Sequence, residues 1–424
     1  MSQAIVVTPP MTRGRAEEIA ASFDLRALPP DFYANPYPVY QVLRETQPVR
    51  PMPDGSFFLT RYADLVAVYR DAQTFSSDKK VEFTPKYGSC SPLLEHHTTS
   101  LVFNDPPLHT RVRKLITGAL TRRAIAGMEP GMVALVDRLL DAIALKNGGD
   151  LIEDFACAIP VEIIGNLLDI PHQDRGPLRG WSLAILGALE PKLTPQQEAL
   201  GNRSVTEFSA CLRELVARRR RAPGDPEHDV LTRLIQGEGN AGEQLSESEL
   251  LQNCVFILNA GHETTTNLIG NALVALQEWP QAWAVLLGKL TRGGDVDLSA
   301  EVDEFLRFES SNQLGNRRAT RAVSVGGLEL PEGALVTLGI GAANRDPAQF
   351  ADPDRLELAR ADNRHLAFGL GIHQCAGLSL ARLEARVAIA GFLRRFPHWR
   401  LTASPTRGGR ARFRGFLQAP FSVA

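Results

Sequence analysis

The chain has no apolar run approaching the ~20 residues that cross a bilayer. The short one at its start is ended by Pro9-Pro10, so neither a signal-peptide core nor a membrane span is expected. Cysteine is scarce, with five in 424 residues, at positions 90, 157, 211, 254 and 375. The number is odd, the spacing is scattered and no CxxC pair occurs. This speaks against a disulfide framework and against a cysteine-based zinc or iron–sulfur site. Free cysteine ordinarily packs as a small buried hydrophobe, which accounts for Cys90, Cys157, Cys211 and Cys254. An excess of charge is missing too: 46 Lys+Arg against 48 Asp+Glu leaves −2, with no global pull toward nucleic acid or anionic membrane. There is no internal repeat and no low-complexity linker. These absences leave a soluble, cytoplasmic protein that works without nucleic acid or membrane and is expected to be a monomer.

What is present is an ordinary globular composition, 44% hydrophobic and 22% charged, on a chain long enough for a large core. Residues 1–30 read as an irregular arm and residues 31–424 as one catalytic domain, because nothing marks a second. Val49 to Thr60 has strand character turned by Pro53-Asp54-Gly55, and Ala63 to Asp71 is a short helix. Residues 78–103 lack a period and read as a long loop, often a functional feature. Asp105-Pro106-Pro107 suits an N-cap and first turn. Helical signals then dominate to about residue 290, divided by prolines and by glycine-rich breaks at 224–226 and 237–242. Arg218 to Arg221 is a solvated helix end. Ser246-Glu247-Ser248-Glu249 is a capping box opening a helix of roughly thirty residues, far longer than the usual ~11–12. Val323 to Val336 is strand-like, and a last long helix runs from Leu378 to about Arg395. The fold class is mainly α with a minor β portion.

One cysteine stands apart. His365-Leu-Ala-Phe368-Gly369-Leu370-Gly371-Ile372-His373-Gln374-Cys375-Ala376-Gly377 places three glycines around a single thiol and feeds directly into the last helix. Glycine allows positive φ and close approach to a flat partner. A thiol at a helix start meets free N–H groups and the positive end of the dipole, both of which favour thiolate.

Phe368-Gly-x-Gly371-x-His373-x-Cys375-x-Gly377 resembles the haem-binding loop of the cytochrome P-450 family in its soluble bacterial form. Companion motifs follow in family order. Ala260-Gly261-His262-Glu263-Thr264-Thr265 resembles the oxygen-activating kink of the long helix. There Gly261 opens room beside the haem, and Thr264 bonds back to a carbonyl four residues earlier. Glu304-Phe-Leu-Arg307 resembles the ExxR signature, with Arg360 in the slot of its second arginine. His109 and Arg113 resemble the HxxxR propionate pair; Arg317, with Arg318 as its rival by one position, and His373 complete that set. Asn344-Arg345-Asp346-Pro347 and Asp352-Pro353-Asp354 match the stretch before the haem loop. One departure is Phe308-Glu-Ser-Ser-Asn-Gln-Leu-Gly315, polar at Ser311, Asn312 and Gln313 where the family often turns on proline.

The resemblance implies the cytochrome P-450 fold, a triangular prism of helices with haem b between the long central helix and the helix after the cysteine loop. It implies that Cys375 is the axial iron ligand and that Ala260, Gly261, Phe368, Gly369 and Gly377 line the cofactor. It further implies that Glu263 gathers protons and Thr264 passes them on, with His262 structural. The expected activity is a monooxygenase inserting one atom of O2 into a small, mainly apolar organic substrate. Pocket walls are expected at residues 85–103, Trp181 to Leu193, Ile257, Ser311 to Leu314 and Phe413 to Phe416. No Rossmann glycine signature is appended, so two electrons are expected from a separate ferredoxin or flavodoxin with its NAD(P)H reductase. The basic residues Arg111, Lys114, Arg122, Arg123 and Arg364 near the haem-holding motifs are its expected docking surface. Two other readings of a haem-thiolate protein are a peroxygenase or isomerase, which relatives lacking the Glu–Thr pair exemplify, and a non-enzymatic haem sensor.

Overall fold

A computed structural model describes residues 5–226, 229–237, 244–292 and 296–423. Its axis is the helix Glu247–Glu278, 32 residues long. Ser246 opens it: the serine hydroxyl accepts from Glu249 N at 3.2 Å, and the Glu249 carboxylate accepts from Ser246 N at 2.8 Å. Apolar residues occupy every face, including Leu251, Val255, Leu258, Leu268, Ile269 and Leu273, all buried. A helix apolar all round must be covered all round. It is wrapped by Pro92–Thr99, Ala158–Leu167, Leu178–Gly187, Pro195–Arg221, Ser299–Phe308 and Leu378–Arg395. Among the described residues no helix is long and apolar enough to cross a membrane.

The last helix, Leu378–Arg395, starts at Gly377 and lies between the central helix and Arg122–Lys146. The largest sheet of the minor β portion among the described residues has five strands. Its order is Val49–Pro51, Phe57–Leu59, Leu335–Gly339, Leu314–Ala319 and Phe75–Ser76. The first two strands form the hairpin expected from Pro53-Asp54-Gly55, paired antiparallel from Val49↔Leu59 to Pro51↔Phe57. Leu314–Ala319 pairs antiparallel with Leu335–Gly339, Arg317 opposite Val336. In this register Arg317 is buried and Arg318 only partly so.

Three expectations change. The arm of residues 1–30 is not wholly irregular: Arg13–Ala21 is a helix capped by Thr12. It packs on Tyr37–Thr46 and buries Ala16, Ile19 and Ala20 in a core with Phe23, Phe32 and Phe58. The loop of 78–103 holds two helices, Lys80–Tyr87 and Pro92–Thr99. Pro85 and Gly88 break the period, and such short helices are held by tertiary burial of Tyr87, Leu93, His96 and His97 rather than by propensity. Asp105 is not an N-cap. Its carboxylate accepts from Ser76 Oγ at 2.5 Å and Ser77 N at 2.8 Å, and the next helix, Leu108–Ala119, begins behind Pro107. Of the break at 237–242, residues beyond 237 lie outside the described ones.

Candidate functional site

The loop before the last helix is closed by its own backbone. Gly369 N donates to Leu366 O at 2.8 Å, Gln374 N to Gly371 O at 3.1 Å and Cys375 N to Phe368 O at 2.8 Å. Gly369 and Gly371 hold φ of 64° and 74°, where a side chain is strained. A Cβ on Gly371 would lie 2.3 Å from the Tyr69 carbonyl, so contact with the helix Tyr62–Arg70 dictates that glycine. The Phe368 ring lies near His365, at 5.6 Å between centroids, and under Arg382, at 4.9 Å. Both neighbours are tied to Asp303, Arg382 Nε at 2.7 Å and His365 Nε2 at 3.4 Å.

Part of Cys375 stays accessible, yet protein surrounds the sulfur and burial pushes its thiol up. The Gly377 N–H, Arg113 and Arg382 oppose that rise without cancelling it. The helix start therefore acts in the expected direction but is outweighed in the protein alone.

Four donors gather beside this loop. The rings of His109 and His373 are 4.1 Å apart. Burial holds His109 below its ordinary range and His373 down to about 2, with Arg317 and Arg113 adding repulsion at each. Nε2 of His373 and both ring nitrogens of His109 lack a well-formed hydrogen bond; for His109 the Ile372 carbonyl is a nearby weak acceptor. Arg317 is 9% exposed, lies over the Tyr69 ring and donates to Asn316 O at 2.8 Å. Among the described residues no carboxylate pairs with Arg113 or Arg317. Arg318 points elsewhere, its Nε 3.6 Å from Glu82.

On the central helix, Thr264 Oγ1 donates to the Ala260 carbonyl at 2.6 Å, the expected back-bond. Ala260 is exposed amid a helix that is otherwise largely buried. At Gly261 a Cβ would meet Ile164 Cδ1 at 2.9 Å, so its lack of a side chain also serves the crossing with Ala158–Leu167. His262 is buried with Nε2 3.7 Å from Cys157 Sγ, and burial lowers it to about 3. Glu263 is 5% exposed and accepts from Arg410 Nη1 at 2.5 Å. Burial raises its carboxyl to about 7, against the pull of Arg410.

Behind the loop, Glu304 and Arg307 are fully buried and bidentate, Nε–Oε2 at 2.7 Å and Nη2–Oε1 at 2.8 Å. Arg360 Nε reaches Glu304 at 3.1 Å, as expected. Arg307 also donates to the Asn344 and Pro353 carbonyls, and Asn344 Oδ1 accepts from Leu366 N at 2.7 Å. The network thus anchors the segment that enters the cysteine loop.

Sequence reasoning missed Arg410, which arrives from a loop 147 residues away. It also missed Asn363 and the Glu357 N–H as further donors to Glu304. No local pattern signals any of these. Of the expected pocket walls, Leu183, Phe413 and Phe416 line one cavity with Glu263 and Arg410. Gln313 is turned inward, donating to Ser310 O at 2.7 Å, and Ser311 is buried.

This donor set fits a haem. A single thiol lies in a closed loop, and beside it gather buried Arg317 and His109 and half-buried Arg113 and His373, without carboxylate partners among the described residues, as two propionates require.

The cytochrome P450 family model matches residues 298–407. The chain is 37% identical over 359 residues to cytochrome P450 107B1 of Saccharopolyspora erythraea, covering 82% of this chain and 84% of that one. It is 36% identical to a vitamin D(3) 25-hydroxylase of Pseudonocardia autotrophica, covering 84% and 85%. Among solved structures, P450BioI in complex with hexadec-9Z-enoic acid ligated acyl carrier protein superposes with a TM-score of 0.85 at 31% identity. That match covers 92% of this chain and 99% of the other.

Proposed function

Because the chain belongs to the cytochrome P450 family, haem-thiolate monooxygenases, we propose that Cys375 would hold the haem iron through its thiolate and that the substrate is a small, mainly apolar organic molecule. Bound through a thiolate, haem supplies the activation of O2 from which one atom is transferred. The observation that carries the assignment is the loop itself: Cys375 N is locked to Phe368 O, and the thiol is the only one framed by the family's motif.

The chain's own residues do the rest. Arg113 and Arg317, with His109 and His373 as neutral donors, would hold the two propionates. Burial and exposure favour Arg317 over Arg318, which Glu82 already engages. Ala260 leaves space on the substrate side of the central helix. Thr264 holds its hydroxyl at the Ala260 carbonyl and relays a proton from there. Glu263 supplies that proton: a carboxyl poised at about 7 exchanges readily near neutral pH. Arg410 is a positioning residue that keeps Glu263 in place.

Electrons come from a separate acidic ferredoxin or flavodoxin, docking on the basic surface beside the cysteine loop. Arg111 pairs with Glu249 and Arg364 with Asp362, and together with Lys114, Arg122 and Arg123 they supply the positive charge that steers the donor. The first-electron rate then falls with rising ionic strength.

The deciding experiment is the CO difference spectrum of the reduced protein. Wild type is expected to give the thiolate-haem band and Cys375→Ala to lack it. An identical band in both would overturn the ligand assignment.

A further inference from the structure

Asp303 grips the cysteine loop from both of its ends. Arg382, on the helix that follows Cys375, donates to it as a fork, Nε to Oδ1 at 2.7 Å and Nη2 to Oδ2 at 3.2 Å. His365, on the chain that enters the loop, reaches Oδ1 with Nε2 at 3.4 Å. Its Nδ1 accepts from Ala367 N at 3.2 Å, which assigns the proton to Nε2 and makes the ring a neutral donor. Burial alone would raise the Asp303 carboxyl, but the bonds from His365 and Arg382 outweigh it and hold it below the usual carboxylate range. Asp303 is thus a carboxylate whose one fully charged partner is Arg382.

The geometry carries this pair to the sulfur. The Arg382 guanidinium lies 4.9 Å from the centre of the Phe368 ring, and the Phe368 carbonyl accepts the Cys375 N–H at 2.8 Å. Arg113 and Arg382 both act on the Cys375 thiol and favour its thiolate. In the reading above Arg113 is matched by a propionate, whereas Arg382 is matched by Asp303. A cation with its counter-charge attached favours nearby negative charge weakly; the same cation alone favours it strongly. The side chains of Arg382 and Asp303 are 30% and 25% exposed, so solvent screens the pair without cancelling it. Glu304, the next residue, already anchors the loop through Arg307, so the Asp303 tie is additional to that support.

Resting on Cys375 as the haem ligand, we propose that Asp303 is a positioning residue for electron uptake: it holds Arg382 against Phe368 and offsets its charge, and the pair sets the reduction potential of a haem held by the Cys375 thiolate. Charges outside the ligand set tune such a potential. An uncompensated Arg382 favours the incoming electron and raises the potential. An uncompensated Asp303 opposes that electron and lowers it.

The test reads the midpoint potential of the haem-loaded protein by dye-mediated titration, not turnover. Asp303→Asn should raise it and Arg382→Gln should lower it, each changing the reduced-to-oxidised ratio at a fixed poise by about threefold or more, about 28 mV for a one-electron couple. The double variant should fall between the two. Arg382→Lys keeps the charge and should stay closer to wild type than Arg382→Gln. Asp303→Ser and Arg382→Met repeat the two charge changes, so poor folding of one variant does not decide the result. Loss of packing alone has no reason to move the two potentials in opposite directions. Shifts of the same sign, or a shift below threefold for either charge change, overturn the proposal. The CO band of each preparation reports separately on the ligand. Its absence from wild type would sink the Cys375 assignment, whereas a normal band with unmoved potentials would sink only the role of Asp303 and Arg382.

Discussion

Arg410 Nη1 donates to Glu263 Oε1 at 2.5 Å, joining a loop near the C-terminus to the middle of the central helix. The second carboxylate oxygen, Oε2, has no hydrogen-bond partner among the described residues. The glutamate is thus half engaged: pinned by one oxygen, with the other left to exchange a proton. Its carboxyl stands at about 7 because burial raises it more than Arg410 lowers it.

A pH dependence follows with a definite sign. The protonated carboxyl is the donor, so oxygen consumption should fall as pH rises through about 7. Arg410 favours the charged form, and Arg410→Ala removes that pull, so the fall should move to higher pH. Glu263→Gln should lose the limb and slow oxygen consumption by about 10²–10⁴-fold, the range of general acid–base assistance. Oxygen-electrode traces across the pH range would decide it. An unmoved limb in Arg410→Ala would show that the pair is a static tie.

Thr264→Ala should uncouple turnover without stopping it. The hydroxyl sits 2.6 Å from the Ala260 carbonyl and is the last proton-bearing group on that face of the helix in the proposed relay. Without it NADPH consumption should continue while product per NADPH drops several-fold and H2O2 rises. Quantifying all three with any turned-over substrate checks this. Equal product per NADPH in the two proteins would reduce Thr264 to a helix bend.

Arg317→Ala and Arg113→Ala should each speed haem loss to apomyoglobin, and Arg318→Ala should not. A charge-assisted bond lost at a buried site costs roughly 1.5–3 kcal/mol, or at least about tenfold in retention. The distinction comes from burial: Arg317 is enclosed beside Tyr69, whereas Arg318 is partly exposed and faces Glu82. Faster loss in Arg318→Ala alone would shift the assignment by one residue.

Arg307→Leu should destabilise the fold itself. It leaves Glu304, fully buried, with one arginine and two weaker donors, and strands the Asn344 and Pro353 carbonyls. Breaking a buried ion pair by removing one partner costs about 3–5 kcal/mol. Arg307→Lys should recover only part, because an ammonium cannot reproduce the bidentate fork. Urea unfolding midpoints would measure both. A loss under about 1 kcal/mol for the leucine variant would mean that the network is not needed for stability.

Patterns confined to a few neighbouring residues were legible in the sequence. The capping box at Ser246, the glycine-framed loop around Cys375, the turn at Pro53-Asp54-Gly55 and the i,i+3 pair Glu304–Arg307 all depend on local spacing, and each folds as that spacing requires. The back-bond from Thr264 to Ala260 belongs with them, since one helical turn links the two. The family and its chemistry rest on these motifs.

What depends on distant chain was decided only in three dimensions. The N-terminal helix and the two helices within 78–103 exist because other elements bury them, so their own periodicity is weak. Gly261 faces Ile164, and Gly371 faces the Tyr69 carbonyl, so a constraint on each glycine lies on another element. Sequence order leaves Arg317 and Arg318 equivalent; strand register buries one and gives the other to Glu82. Arg410 reaches Glu263 across 147 positions. Local geometry is set by near neighbours, but charge and burial at a point are sums over everything that packs around it, and only the tertiary structure supplies that sum.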